Sequence, residues 1–134
     1  MRKRLFIFVL IFVLIATIFV SCAQKEQTVF QLLNININKI DKIELVGGIP
    51  YKKIDITEQT NVDKIIAMCN TVKLKFSQKG CPSGDFVGVN FYHGEQLLNG
   101  FVPNLQVAYM KGDTYTITSG SYDLDALEAM MGVS

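Results

Sequence analysis

The sequence predicts an α+β fold, a mainly antiparallel sheet with two amphipathic helices in the approximate order ββαβββ(β)α, after an N-terminal apolar helix. Three observations lead to this prediction. Several short runs alternate apolar and polar residues, as half-buried strands do. The connections between these runs are short enough for hairpins, which favours antiparallel pairing. Two other segments carry apolar residues at three- and four-residue steps, so each has a stripe that can cover one sheet face.

The first 22 residues form a separate unit. Three basic residues at positions 2–4 precede sixteen uncharged residues, Leu5 to Val20, and Ser21-Cys22 follows directly. Cations beside an apolar segment stay on the cytoplasmic side while the segment crosses, so these charges set the orientation. The run is slightly long for a secretory core and shorter than the roughly 20 residues of a spanning helix. A small residue before a cysteine indicates lipid attachment at Cys22, followed by cleavage before it.

This segment resembles bacterial lipoprotein precursors, and the resemblance rests on Phe19-Val20-Ser21-Cys22 after the apolar core. It implies that residues 1–21 are a signal peptide and that a diacylglyceryl group on Cys22 holds the protein on the extracytoplasmic face of the cell membrane. Two acyl chains give the stable anchoring that one chain does not. Phe19 and Val20 stand where leucine and a smaller residue are usual. The alternatives are an uncleaved single-span anchor, or a cleaved signal that leaves Cys22 as a plain thiol.

Removal of residues 1–21 leaves 113 residues with ten basic and twelve acidic side chains, a formal net charge of −2. This length suits one core and is too short for two ordinary domains. We therefore expect residues 22–28 to form the lipidated cysteine and a short tether, and residues 29–134 to form a single domain. A slightly acidic domain gives no electrostatic basis for binding nucleic acid, for which a basic face is expected.

In the first half of the mature chain, the alternation at residues 34–38 predicts a half-buried strand or, alternatively, a linker. Residues 42–45 and 53–56 alternate again on either side of Gly47-Gly48, which predicts two strands joined by a loop. Thr57 can cap a helix, and the residues that follow form one apolar stripe at helical spacing: Val62, Ile65, Ile66, Cys69 and Val72.

In the second half, residues 73–76 predict an extended piece and residues 77–85 a loop. A hairpin is expected around His93-Gly94, between the alternating run that ends at Phe91 and residues 96–98. Residues 101–110, interrupted by Pro103-Asn104, predict two short strands or one broken edge strand. After a turn and a strand at 114–118, a final helix is expected with Ser121 or Asp123 as its cap, Leu124, Leu127 and Met131 as its apolar face, and Gly132 at its end.

The cysteines that remain beside Cys22 are Cys69 and Cys81, an even pair in an oxidising compartment. A disulfide between them is one hypothesis, and closing such a loop would stabilise the fold by about 3 kcal/mol. The alternative is that Cys69, which lies on the predicted helix stripe, is free and serves as a small buried hydrophobe.

No residue pattern points to catalysis, a metal or a cofactor, and we expect none of these. His93, the single histidine, lies at a predicted turn, where we expect it to be exposed, without the close spacing of zinc ligands. The chain has no G-x-S-x-G motif and no phosphate-binding glycine motif. Asp123, Asp125 and Glu128 cluster, but acids in the first turn of a helix interact favourably with its positive end.

The tyrosines offer a binding hypothesis. If several share an open sheet face they could bind a glycan or a peptide, and the alternative is ordinary sheet packing. They are Tyr51, Tyr92, Tyr109, Tyr115 and Tyr122.

The element order, with Lys111 to Ile117 before a terminal helix, also resembles small lipoprotein domains of Gram-positive bacteria, a resemblance that implies no activity. We expect a lipid-anchored cell-envelope protein that acts as a non-catalytic binding or interaction module for an envelope protein, a peptide or a glycan. The alternatives are a structural or accessory subunit of a membrane complex and a small envelope enzyme.

Overall fold

The structure, a computed structural model, describes residues 3, 6–11, 25–48, 50–81, 83–84 and 86–132. From residue 27 onward they form an α+β fold, which confirms the predicted class. The helices are α1 (Val29–Leu33), α2 (Gln59–Thr71) and α3 (Leu124–Met130), and a 3₁₀ helix spans Ile37–Lys39. The strands are β1 (Lys42–Gly47), β2 (Lys52–Ile56), β3 (Lys73–Lys79), β4 (Gly88–His93), β5 (Gln96–Pro103), β6 (Val107–Met110) and β7 (Asp113–Ser119).

The seven strands form one antiparallel sheet in the order β2-β1-β4-β5-β6-β7-β3, so β2 and β3 are its edges. β5 joins two parts of this sheet, one with β2, β1 and β4 and the other with β6, β7 and β3. Its residues up to Phe101 pair with β4, and only Val102 and Pro103 pair with β6. The predicted antiparallel arrangement is confirmed. The predicted order was partly wrong, since five strands rather than three or four lie between α2 and α3.

The segment before β1 contradicts the prediction of a strand or linker. Thr28 and Gln31 form a capping box that starts α1: Thr28 N donates to Gln31 Oε1 at 2.9 Å and Gln31 N donates to Thr28 Oγ1 at 3.3 Å. Asn34 ends α1 in the left-handed conformation, with φ of 54°. Asn36 Oδ1 then accepts from Asn38 N at 3.0 Å and caps the 3₁₀ helix. These asparagines serve local caps, so their alternation with isoleucines does not produce a strand.

Contacts of the folded domain begin at Gln27, within the expected tether. Gln27 N donates to Leu74 O at 2.9 Å, and Leu74 N donates to Gln27 O at 2.8 Å. Thr28, which caps α1, is buried, whereas Lys25 and Glu26 are exposed. Two of the residues that the sequence placed in the tether therefore contact the domain.

One sheet face and the three helices share a single core. Phe91 in β4 is fully buried, with its ring centroid 5.1 Å from that of Phe30 and 6.0 Å from that of Phe101. Apolar residues that alternate along the strands meet the stripes of the helices, as the period-2 and period-3.6 patterns require. Other buried members of this core are Ile43, Leu45, Val89, Val62, Ile65, Cys69, Leu127 and Met131.

The predicted signal segment is described only in part. Residues 6–11 are helical and exposed, with Phe6 and Phe8 each more than 70% accessible. Cys22 and the residues on either side of it lie outside the described residues. Of the helices in the described ranges, none combines the length and the apolar content that crossing a bilayer requires.

Replacing Phe91 by Ala is expected to lower the free energy of unfolding by about 3–5 kcal/mol, because it removes a fully buried ring from the centre of the core. Urea denaturation followed by circular dichroism measures the change. Leu105→Ala is the matched control, since Leu105 is 73% exposed and should change stability by less than about 0.5 kcal/mol. Equal effects of the two substitutions would contradict the assigned core.

Candidate functional site

A groove of about 470 Å³ lies on the sheet face that points away from the helices, called here the outer face. Outward-facing residues of four neighbouring strands form its floor, and the segment before β4 forms one wall. Its surface is mostly apolar. Its described lining residues are Val46, Cys81, Phe86, Gly88, Asn90, Leu97, Asn99, Gly100, Phe101, Val102, Tyr109, Met110, Lys111 and Gly112.

The floor is low because two of its residues have no side chain. A Cβ on Gly100 would collide with Asn90 Oδ1 and would lie 2.8 Å from the Val89 carbonyl oxygen. A Cβ on Gly88 would lie 2.9 Å from Val46 Cγ2. Glycine inside a strand usually marks such a close approach, since it weakens the strand otherwise. Gly88 and Gly100 therefore let the Val46 and Asn90 side chains lie across these two positions, which keeps the floor of the groove low.

Aromatic and aliphatic side chains form the rim. The rings of Phe86 and Tyr109 are in contact, with centroids 5.4 Å apart and planes tilted by 51°. Leu97 is 52% exposed although it is a large apolar residue. Contiguous exposed apolar surface on a small domain commonly marks an interaction site.

A buried carboxylate stands beside the groove. The Glu44 side chain is only 7% exposed, and it accepts from Asn90 Nδ2 at 3.0 Å and pairs with Lys53 Nζ at 3.0 Å. Burial acts to raise the pKa of Glu44, but the hydrogen bonds from Asn90 and Lys53 and the charges of Lys53 and Lys42 outweigh it and hold the pKa below its ordinary value. Glu44 is thus ionised at neutral pH, and it orients the Asn90 amide in the groove.

Charges near the groove are engaged elsewhere. Lys111 Nζ donates to the Leu32 carbonyl oxygen at 2.6 Å, which fixes the ammonium group on α1. Lys42 lies over the Tyr92 ring, 4.5 Å from its centroid, and within 3.9 Å of Asp55 Oδ2. The described lining of the groove contains no carboxylate. Lys111 is thus the charged side chain of the described lining, and its ammonium group is held at α1.

A more polar depression of about 620 Å³ lies beside α1 and the 3₁₀ helix. Asn34 and Asn36, which line it, are the residues that end α1 and start the 3₁₀ helix. Structural roles therefore account for these two asparagines, and the outer-face groove is the stronger candidate site.

The structure does not join the two predicted disulfide partners. Cys69 and Cys81 are both free thiols, Cys69 in the core and Cys81 at the exposed surface. Cys81 Sγ is 3.4 Å from the Asp113 carbonyl oxygen, to which it donates, and it lines the groove. Burial raises the pKa of the Cys69 thiol, so this group is neutral and corresponds to the alternative of a small buried hydrophobe.

His93 is the last residue of β4, directly before the turn at residues 94–95, and not a turn residue itself. Its side chain is 57% exposed, so the predicted exposure is confirmed. Its Nδ1 is 2.8 Å from the Lys39 carbonyl oxygen and 3.2 Å from Asp41 Oδ2. Among the described residues, no three histidine, cysteine or carboxylate side chains come together as a metal site would require.

Of the three clustered carboxylates, Asp123 and Asp125 lie at the start of α3 as predicted, whereas Glu128 lies beyond its first turn. Asp123 Oδ1 accepts from Ala126 N at 3.0 Å at the start of α3, and Asp125 lies in the first turn.

The tyrosines do not form one binding face. Among the five, Tyr109 alone lines the groove. Tyr122 is buried against Phe101, and its hydroxyl has no hydrogen-bond partner among the described residues. Tyr115 packs edge-on against Phe76, with ring centroids 5.8 Å apart. Ordinary packing accounts for these two, as the alternative interpretation held.

Sequence reasoning missed most of the groove. Phe86 directly follows the predicted loop at residues 77–85, and Leu97 lies in one strand of the predicted hairpin, so neither residue was identified as part of a site. The sequence signals were Gly88, inside the alternating run that ends at Phe91, and Gly100, between residues 96–98 and the run that begins at Phe101. A glycine within a strand indicates close backbone approach. Glu44 looked like an ordinary outward-facing residue between two buried ones, because its burial depends on the neighbouring strands.

Glu44→Gln is expected to lower the free energy of unfolding at neutral pH by about 1–3 kcal/mol, since Asn90 and Lys53 lose an ionised partner. The folded-state pKa of Glu44 is depressed, so its contribution is present above the ordinary value of 4.5 and is lost as the pH falls through the lower folded-state value. Stability of the unmodified protein should thus fall more steeply than that of the variant on acidification below pH 4.5.

Urea denaturation at a series of pH values measures this difference. Glu95→Gln is the matched control, because Glu95 pairs with Lys42 at 3.9 Å but its side chain is fully exposed. The control should follow the unmodified protein at every pH. Parallel pH profiles for Glu44→Gln and the unmodified protein would show that Glu44 is not linked to folding in this way.

Comparison with known proteins assigns the chain to no group. No family model, no curated protein and no solved structure matches this sequence. Its function must therefore be inferred from its own residues and their geometry.

Proposed function

We propose that this protein is a lipid-anchored, non-catalytic binding module of the cell envelope, held by a diacylglyceryl group on Cys22 and binding a partner through the outer-face groove. The single observation that carries the binding role is the groove itself. It combines a floor lowered by Gly88 and Gly100 with an apolar rim of Phe86, Tyr109 and Leu97.

The anchor is inferred from the order of features at the N-terminus. Basic residues, an uncharged apolar run and Ser21-Cys22 follow one another without interruption. The exposure of Phe6 and Phe8 supports this inference, since the apolar side chains of a removable export segment are not needed in the core of the mature domain.

The favoured partner is a polypeptide segment that presents apolar side chains. The described lining is largely aliphatic and aromatic, and its amides are those of Asn90 and Asn99. Apolar burial with a small number of oriented polar groups is typical of protein interfaces. A glycan would call for more hydrogen-bonding side chains than these described residues offer.

A binding role is also favoured over catalysis by the chemistry of the lining. Its titratable members among the described residues are Cys81, Tyr109 and Lys111. Lys111 donates to the Leu32 carbonyl oxygen, and Cys81 donates to that of Asp113. Neither is paired with a base that would activate it.

A photoreactive amino acid at position 97 is expected to crosslink one discrete polypeptide in intact cells. The same replacement at Leu105 should give little of that product, because Leu105 is exposed but does not line the groove. Electrophoresis and mass spectrometry of the adducts measure the result.

A second substitution in the same experiment tests whether crosslinking from position 97 depends on the groove. Tyr109→Ala removes one ring from the rim, and crosslinking from position 97 should fall in this variant while it remains folded by circular dichroism. Equal crosslinking from positions 97 and 105 would overturn the groove as the binding surface. An adduct that muramidase or another glycosidase removes would identify a glycan and would contradict the polypeptide partner.

Cys22→Ala is expected to abolish incorporation of a labelled fatty acid and to leave an unprocessed precursor of higher mass, since the sulfur that accepts the lipid is missing. Metabolic labelling followed by immunoprecipitation measures both effects. Cys81→Ala is the matched control, because it removes the thiol of an exposed cysteine within the domain and should retain the label. Label on the Cys22→Ala protein would refute lipidation at this residue.

A further inference from the structure

Within residues 25–48 of the described chain, the first contact with the sheet lies on the edge strand β3. Gln27 and Leu74 exchange two backbone hydrogen bonds, of 2.9 and 2.8 Å. The next residue, Thr28, is buried and caps α1, and Val29 is fully buried. The path of the chain from the anchor into the domain is therefore fixed at Gln27.

The distance from the anchor to this point is short. Four residues lie between Cys22 and Gln27, which makes five steps along the chain. A fully extended chain covers at most about 3.3–3.6 Å per step, or roughly 17 Å here. A lipid on Cys22 thus holds the β3 edge close to the headgroups. The opposite edge, β2, is separated from β3 by five strands.

The two edges differ in whether their charged side chains have partners within the domain. β3 carries Lys73, Lys75 and Lys79 and no acidic residue, and these lysines form no ion pair among the described residues. Lys25, just before the first contact, is also exposed. The nearby acids are Glu26, next to Lys25, and Asp113, opposite Lys79 in the sheet.

The charged groups of β2 are instead engaged within the domain. Lys53 Nζ is 3.0 Å from Glu44 Oε2, and Asp55 Oδ2 is 3.9 Å from Lys42 Nζ. Lys52 Nζ donates to the Gly132 carbonyl oxygen at 3.4 Å. Free ammonium groups therefore concentrate at the edge that the tether holds near the membrane.

We propose that the β3 edge is a membrane-contact surface that binds anionic lipid headgroups, with β2 directed away from the bilayer. Lysines close to a negatively charged leaflet are attracted to it within a Debye length. Phe76, an exposed aromatic residue of β3, can enter the interfacial region beside them. This inference rests on the proposed lipid at Cys22.

In this orientation the groove opens to the side of the domain. Its floor lies on the outer face of the central strands, between the two edges. A partner anchored in the same membrane could reach it without displacing the β3 edge from the lipid.

The test uses the mature, lipidated protein in vesicles of phosphatidylcholine and phosphatidylglycerol that contain a nitroxide-labelled headgroup. Cys81→Ser removes the exposed thiol, and a fluorophore is attached at either Ser77→Cys in β3 or Tyr51→Cys beside β2. Both positions are exposed, and neither replaces a lysine. Quenching at position 77 should be several-fold stronger than at position 51.

A second arm tests the lipid contact. Replacing Lys73, Lys75 and Lys79 together by Gln should reduce the difference in quenching between the two positions. The matched control, Lys52→Gln with Lys64→Gln, removes lysines away from β3 and should leave the difference unchanged.

The outcomes separate the two proposals. Protein that does not float with the vesicles would refute the anchor and with it the proposed function. Protein that floats but is quenched equally at both positions, or more strongly at position 51, would overturn the membrane-contact surface alone. A difference that the β3 substitutions do not alter would overturn the role of the lysines.

Discussion

The pairing of β5 with two different neighbours is the constraint on which the rest of the structure depends. Two residue pairs, Val102 with Tyr109 and Pro103 with Ala108, join the half that contains β2, β1 and β4 to the half that contains β6, β7 and β3. Phe101, beside this junction, is buried and packs on Phe91 and Tyr122. The core thus reinforces a junction that has few backbone hydrogen bonds of its own.

Four consecutive residues of β5 contribute alternately to the core and to the groove. Phe101 and Pro103 are buried, whereas Gly100 and Val102 line the outer face. Side chains alternate between the two faces of a strand, so a shift in the register of β5 would displace its groove residues and its core residues together. Glu44 extends this coupling across the sheet, since it pairs in register with Asn90, which in turn stands opposite Gly100. An ionised group on β1 thereby fixes an amide on the groove floor.

The sequence was sufficient for those parts of the fold that local patterns determine. The stripe of Val62, Ile65 and Cys69 predicted α2, and alternation predicted the hairpin that contains Phe91, because both patterns report burial of one face. The segment around Asn36 was misread, since asparagine amides capped backbone groups that a strand would have paired. The strand β3, whose residues are mostly exposed, was predicted only as an extended piece at residues 73–76. It continues to Lys79, into the segment that was predicted to be a loop.

The candidate site was less accessible to prediction because it is made by strands distant in sequence. Val46 and Tyr109 both line the groove, but this could be predicted only from the strand order of the sheet. The burial of Glu44 and the separation of Cys69 from Cys81 have the same origin. In contrast, the role of Asp123 was predictable, since a helix cap needs only the adjoining residues.

The bridge between Gln27 and Leu74 also has a mechanical consequence. In a chain held at Cys22, any tension between the membrane and the domain enters the fold at this bridge. Its two hydrogen bonds bear the load first, and the next elements in line are the Thr28 cap and the buried side chains of Val29 and Phe30. A pull on the proposed anchor would therefore pass through α1 to the Phe30 ring and from there to Phe91, with which Phe30 is in contact.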